Sequence, residues 1–309
     1  MERVLTVTRH AVGRMLGEGA ELAFGFWPGR ERPIVALHGL TASHVNFIGI
    51  AERLSGSRAV FAPDLRGRGD SDKPDGPYGM RQHARDVSTL MRTLRLGPSV
   101  VVGHSMGAFV AAAVAEQAPD LVSGLVMIDG GFVPALARVD SSQRLDSALK
   151  LRIEQLRSTY RSHDAYLEFW RAQPHFPPGE WNPWIEAFLT YELGGEVPCL
   201  QPKASTSAVL ADLQDGLDVE EIIRRLHSVG VPVMFIRAEY GFVPGSAPLY
   251  PSSSLDQFRR QIPQVEDHFF AGTTHYTIVL GDTGATKLAD LIADFAARCE
   301  TPNHHSQPG

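Results

Sequence analysis

The chain has 309 residues, 43% of them hydrophobic and 21% charged, with a formal net charge of −6 and a pI near 6.1. That composition is ordinary for a globular protein, its length suits two small domains or one large domain with an insertion, and its acidic balance excludes the basic face that a nucleic-acid partner needs. The first ten residues, MERVLTVTRH, lack the apolar core of a signal peptide, and no run approaches the ~20 apolar residues that span a bilayer. A cytoplasmic protein without a membrane partner is therefore expected, with Cys199 and Cys299 as free thiols rather than one bridge.

In chain order, residues 3–8 and 20–26 read as short strands, the second closed by the turn signal Trp27-Pro28-Gly29. Pro33 to Leu40 is a continuous apolar run ending in His38-Gly39-Leu40, as expected of a central strand buried on both faces. Helical periodicity follows over 45–54, through Val45, Ile48, Ala51 and Leu54. A strand over 58–65 runs into the glycine-rich turn Arg66-Gly67-Arg68-Gly69-Asp70-Ser71, and a helix is predicted near 79–95. Further strands are predicted over 99–102, 121–128, 231–237 and 264–270, and the closing helix over 284–299. The alternation of strand and helix argues for an open, mainly parallel sheet with helices on both faces. Between 134 and 226 the pattern is helical, aromatic and broken by prolines, and it includes three of the four tryptophans. This segment reads as an inserted helical cap on a core made of 1–133 and 227–300. The polar tail 301–309 is expected to be disordered.

The stretch Gly103-His104-Ser105-Met106-Gly107 stands between the apolar run Ser99–Val102 and the helix-forming run Ala108–Ala115. G-x-S-x-G between a strand and a helix is the nucleophile elbow: a sharp turn that leaves no room for side chains two positions either side and projects the serine hydroxyl. The chain resembles the α/β-hydrolase family over nearly its whole length. The resemblance is carried by this elbow, by His38-Gly39 after an early strand, by Pro63-Asp64-Leu65-Arg66-Gly67-Arg68-Gly69-Asp70-Ser71 after the next, and by a late histidine. It implies an eight-stranded, mostly parallel sheet with a cap inserted after the sixth strand.

A serine hydroxyl needs a base within hydrogen-bond reach and a carboxylate to orient that base. In this fold the chain order is serine, acid, histidine. His275, between the last strand and the last helix, is the expected base, with His268 as its rival. The resemblance would put the acid just after the strand ending near 237, where Tyr240 stands instead. A minority of the family uses an acid at the end of the preceding strand, and Asp129 occupies that place. Asp129 is therefore the expected acid, Glu239 the alternative and Asp256 a distant third. The backbone N–H groups of Leu40 and Met106 are expected to form an oxyanion hole. Trp170, Trp181, Trp184 and Tyr276 are the candidates to line the substrate pocket. His38 and His104 are expected to be structural, and the turn holding Arg66 and Asp70 is expected to be a structural latch. Gly67-x-Gly69 lacks the third glycine of a dinucleotide fingerprint, no phosphate-binding loop is present and no residue cluster has metal-ligand spacing, so no cofactor is expected. The implied function is a serine hydrolase acting on a small, largely apolar ester or lactone. The alternatives are hydrolysis of a carbon–carbon bond in ring-cleavage products and a ligand-binding protein on the same fold.

Overall fold

The structure is a computed structural model that describes residues 10–132, 154–215, 225, 227 and 229–300. The strands are β1 (Ala11–Leu16), β2 (Glu21–Trp27), β3 (Glu31–Leu37), β4 (Arg58–Pro63), β5 (Ser99–His104), β6 (Val122–Ile128), β7 (Leu193–Gly194), β8 (Gln201–Pro202), β9 (Val233–Ala238) and β10 (Glu266–Phe270). Eight form one sheet in the order β1-β2-β4-β3-β5-β6-β9-β10, and β7 and β8 form a separate small hairpin. β1 with β2 and β2 with β4 are antiparallel, and the remaining pairs of the large sheet are parallel. The strand expected over 3–8 lies outside the described residues. β1 is not predicted, because as an exposed edge strand it carries no apolar alternation to read.

The central strands are buried on both faces, and their side chains alternate between two cores. Val100 and Val102 of β5, Ile34 and Ala36 of β3, and Val126 and Ile128 of β6 face one core. Val101, Val35 and Leu37, and Leu125 and Met127 face the other. The first core is closed by α1 (Ile48–Leu54) and by α9 (Asp282–Glu300). The second is closed by α2 (Met80–Leu94) and α3 (Met106–Gln117). α3 is apolar on all sides because it packs against both the sheet and α2.

Between β6 and β9 the described chain forms α4 (His163–Arg171), α5 (Pro183–Glu192) and α6 (Thr206–Asp215). α5 begins at an Asn182 cap whose side-chain oxygen accepts from the N–H groups of Trp184 (2.9 Å) and Ile185 (3.0 Å), with Pro183 at the first helical position. After β9 come α7 (Leu255–Gln261), β10, the four-residue α8 (Thr277–Leu280) and α9. Among the described residues no helix is long and apolar enough to cross a membrane.

Candidate active site

β5 ends at His104, and Ser105 turns the chain into α3 with φ 56° and ψ −122°, a conformation that costs a non-glycine residue about 1–3 kcal/mol. The two elbow glycines explain how the turn fits. A Cβ on Gly103 would lie 2.2 Å from the carbonyl oxygen of Gly107, and one on Gly107 would lie 1.9 Å from that of Leu37. Ser105 is part-exposed while its neighbours are largely buried, so its hydroxyl is the reachable group of the turn.

Asp129 follows β6 in a second strained turn, at φ 44°, and is 1% exposed. The next residue must be glycine, since a Cβ on Gly130 would lie 2.2 Å from the carbonyl oxygen of Ser105. The two turns are thus packed backbone to backbone. One Asp129 oxygen accepts from the N–H of Ala238 (3.2 Å), and the other accepts from His275 Nδ1 at 2.6 Å. His275 is 4% exposed and sits between the rings of His104 (centroids 4.7 Å apart) and Phe242 (5.0 Å). With Nδ1–H donated to the carboxylate, Nε2 keeps its lone pair and is available as a base. No hydrogen bond joins Ser105 to His275 among the described residues. Such bonds commonly close only when substrate is bound.

The alternative acids lie elsewhere. The Glu239 carboxylate accepts from the N–H of Gly272 at 2.7 Å, Asp256 is in α7, and His268, the rival base, pairs with Glu266 at 2.7 Å.

His38 and His104 are buried, and backbone groups hold both. His38 donates from Nδ1 to the Gly39 carbonyl (2.8 Å) and accepts at Nε2 from the Leu65 N–H (2.9 Å). Burial lowers its pKa to about 4, so it stays neutral. His104 donates from Nε2 to the His275 carbonyl (2.9 Å) and accepts at Nδ1 from Asn46 (3.3 Å). Burial and the adjacent His275 push its pKa well below the ordinary value, so it too is a neutral support.

The loop after β3 brings Gly39 against Ser105: a Cβ there would lie 3.7 Å from Ser105 Oγ. The loop's own turn closes through the Ala42 N–H to the Gly39 carbonyl (3.2 Å), so the Leu40 N–H is not consumed by it. The Met106 N–H is among the first amides of α3, which no carbonyl of the helix can reach.

The predicted pocket residues divide. Tyr276 adjoins His275 (ring centroids 5.8 Å) and reaches Phe176 (5.6 Å), which in turn contacts Trp170 (5.9 Å) and Trp181 (6.1 Å). Trp184 is not brought to this cluster. Its indole N–H donates to Glu52 (2.8 Å), the Arg53 guanidinium lies 4.2 Å from its ring, and it packs on Gly49, all on α1. It seats the inserted segment on the core, as a large half-polar ring does when its N–H needs a partner.

The Arg66/Asp70 turn is tied to two other segments, each residue by its own partner. Arg66 pairs with Asp86 of α2 through two 2.8 Å bonds, whereas Asp70 pairs with Lys203 at 2.8 Å. A bidentate partner on a helix fits the planar guanidinium better than a carboxylate four residues along the same turn. The sequence shows Arg68 only as part of the glycine-rich turn and nothing that singles out Asp86 or Asp212, yet all three are buried charges. The only sequence signal for them is their composition, charged residues beside glycine or within apolar periodicity.

Among the described residues no group of three or more His, Cys, Asp or Glu side chains is arranged to hold a metal ion. Cys199 and Cys299 are unbridged.

Comparison with known proteins agrees with this architecture. The family model for the α/β-hydrolase fold matches residues 32–282. The 2-(acetamidomethylene)succinate hydrolase of Mesorhizobium japonicum is 33% identical over 242 residues, covering 77% of this chain and 80% of that protein. The sn-1-specific diacylglycerol lipase of Mus musculus is 35% identical over 145 residues, 41% of this chain and 47% of the lipase. The crystal structure of E-2-(acetamidomethylene)succinate hydrolase superposes with a TM-score of 0.77 at 24% identity, over 93% of this chain and all of that one. These relatives are named hydrolases, and the chain belongs to the α/β-hydrolase fold family.

Proposed function

We propose that the protein is a serine hydrolase that cleaves a carboxylic ester or lactone of a small, largely apolar molecule through an acyl-enzyme on Ser105, without a cofactor. The observation that carries this reading is the 2.6 Å pairing of His275 Nδ1 with Asp129, held against the backbone of the strained Ser105 turn. In the reaction, Ser105 Oγ attacks the substrate carbonyl and gives its proton to His275 Nε2. Asp129 stabilises the imidazolium through Nδ1–H. The carbonyl oxygen becomes an oxyanion that accepts from the N–H groups of Leu40 and Met106, each donor being worth about 3 kcal/mol. His275 then protonates the leaving alkoxide, and the bond to it breaks. Water, losing its proton to the same nitrogen, attacks the acyl-enzyme, and His275 returns that proton to Ser105 Oγ as the Ser105–acyl bond breaks and the carboxylic acid leaves. The described helices inserted between β6 and β9 serve as a cap, and Tyr276 with Trp170 and Trp181 gives the site its apolar, aromatic wall, which supports an apolar acyl or alcohol group.

A second reading, acyl cleavage from nitrogen, is favoured by one observation: the relative that matches over 77% of this chain is named for a substrate bearing an acetamido group. The same groups would serve, with His275 protonating a departing nitrogen. A panel of p-nitrophenyl esters, lactones and N-acyl compounds, run on the wild type and Ser105→Ala, separates the two. Ester or lactone turnover that disappears in the variant is the expected result. Turnover of N-acyl compounds alone would replace the first reading with the second.

A further inference from the structure

Two buried charge networks grip the loop that carries Leu40, and each reaches into the inserted helices. Arg68 is wholly buried. Its Nε donates to the Leu40 carbonyl (2.9 Å), one terminal nitrogen donates to the Arg66 carbonyl (3.0 Å), and the other lies 3.9 Å from Met106 Sδ. One guanidinium thus touches both residues whose N–H groups would face the oxyanion. Its counter-charge is Asp212 on α6, which also accepts from His83 Nε2 (2.9 Å) and from the Gly79 N–H (2.6 Å). Burial by itself would push the Asp212 carboxyl up, but the charge of Arg68 and the bond from His83 outweigh it and bring it down to about 2. The Asp212 carboxylate therefore remains charged at any ordinary assay pH.

At the far end of the same loop, Asp64 is fully buried and accepts from the His44 N–H (2.7 Å) and from His44 Nδ1 (2.8 Å). It also accepts from the Asp70 N–H (3.0 Å) and from the hydroxyl of Tyr191 on α5 (2.6 Å). The turn closes around this carboxylate so tightly that a Cβ on Gly69 would lie 2.0 Å from it. The loop between Leu40 and His44 is thereby pinned at both ends, by Arg68 with Asp212 and by Asp64 with Tyr191.

We infer that Arg68 and Tyr191 are positioning residues for the oxyanion loop, which makes the seating of α5 and α6 part of the catalytic geometry. The catalytic meaning of this inference rests on the serine-hydrolase reading, while the pinning of the loop does not. Such a device has a physical purpose. Oxyanion donors stabilise the transition state only if they are fixed before the charge arrives, and an irregular loop has no ladder of its own to fix them. Charge-assisted bonds to its carbonyl and amide groups supply the missing stiffness.

The test uses Tyr191→Phe, which removes one hydroxyl, and Arg68→Lys, which keeps the charge but loses the planar fork. Amide hydrogen exchange over residues 39–44 is measured together with kcat and KM on p-nitrophenyl acetate, and circular dichroism checks the fold. The inference expects faster exchange in this loop in both variants, and kcat lowered roughly ten- to a hundredfold. KM should stay within about twofold, the split expected when an interaction made in the transition state is weakened. Should Arg68→Lys fail to fold, Tyr191→Phe decides alone. Unchanged exchange at residues 39–44 would overturn the inference, as would faster exchange with unchanged kcat. A wild type that forms no acyl adduct and turns over no ester would refute the serine-hydrolase reading instead, leaving the exchange result to decide the pinning.

Discussion

The φ of 44° at Asp129 and of 56° at Ser105 place two non-glycine residues in the left-handed region within one contact of each other. Strain of this kind persists where the surroundings over-determine it, and here the surroundings are Gly130 under Ser105 and the two bonds at the Asp129 carboxylate. Asp129→Asn keeps the shape but no longer accepts both N–H groups as an anion, so the imidazole loses its fixed tautomer. Its kcat is expected to fall by about 10⁴-fold, as on removal of a triad carboxylate elsewhere. Glu239→Gln should stay within about tenfold of wild type, because Glu239 bonds the Gly272 N–H of an exposed turn and the Tyr240 side chain. Steady-state rates on one ester check both, and a reversed order would move the acid to Glu239. At this scale the sequence is informative. Tyr240 in the expected place of the acid, and Asp129 before two glycines, are visible in the letters alone. Arg68 and Tyr191 are not, since Tyr191 and Asp64 stand 127 residues apart and nothing local in either segment announces the contact.

Among the elements, the long buried strands and the helices that follow them are readable because their apolar runs are continuous and their ends carry glycine. The exposed strand β1 and the four-residue α8 are not, because neither has a periodic apolar face long enough to register. The join between β3 and β4 has a measurable consequence. His38, just past β3, accepts from the Leu65 N–H just past β4, and it does so as a neutral ring. Its pKa falls from 6.5 to about 4 on folding. The unfolded chain therefore binds the proton first as pH drops. The stabilisation is complete above pH 6.5 and is lost as pH falls from there toward 4. A shift of that size corresponds to roughly 3 kcal/mol, and His104, displaced in the same direction, adds to it. Urea unfolding at pH 7.5 and pH 5 should show lower stability at pH 5, with the difference reduced in His38→Asn. A pH-independent midpoint over this range would contradict the burial of a neutral His38.

Over the whole molecule, the sheet brings Ser105, Asp129 and His275 together in that chain order. β5, β6 and the loop after β10 bring their carboxyl-terminal ends to one edge, where ligands bind in open α/β sheets. The inserted helices sit on that arrangement through Trp184 on α1, Tyr191 on Asp64 and Asp212 on Arg68. The doubly wound core is legible from the alternation of strand and helix. The attachment of the insertion is not, because it depends on how helices pack against a surface that the sequence does not display. The central claim is that Ser105 is an activated nucleophile, and intact mass after incubation with a fluorophosphonate tests it most directly. The account predicts one adduct on the wild type, none on Ser105→Ala, and much slower labelling of Asp129→Asn. A folded wild type that takes up no adduct, or a Ser105→Ala variant that still does, would contradict it.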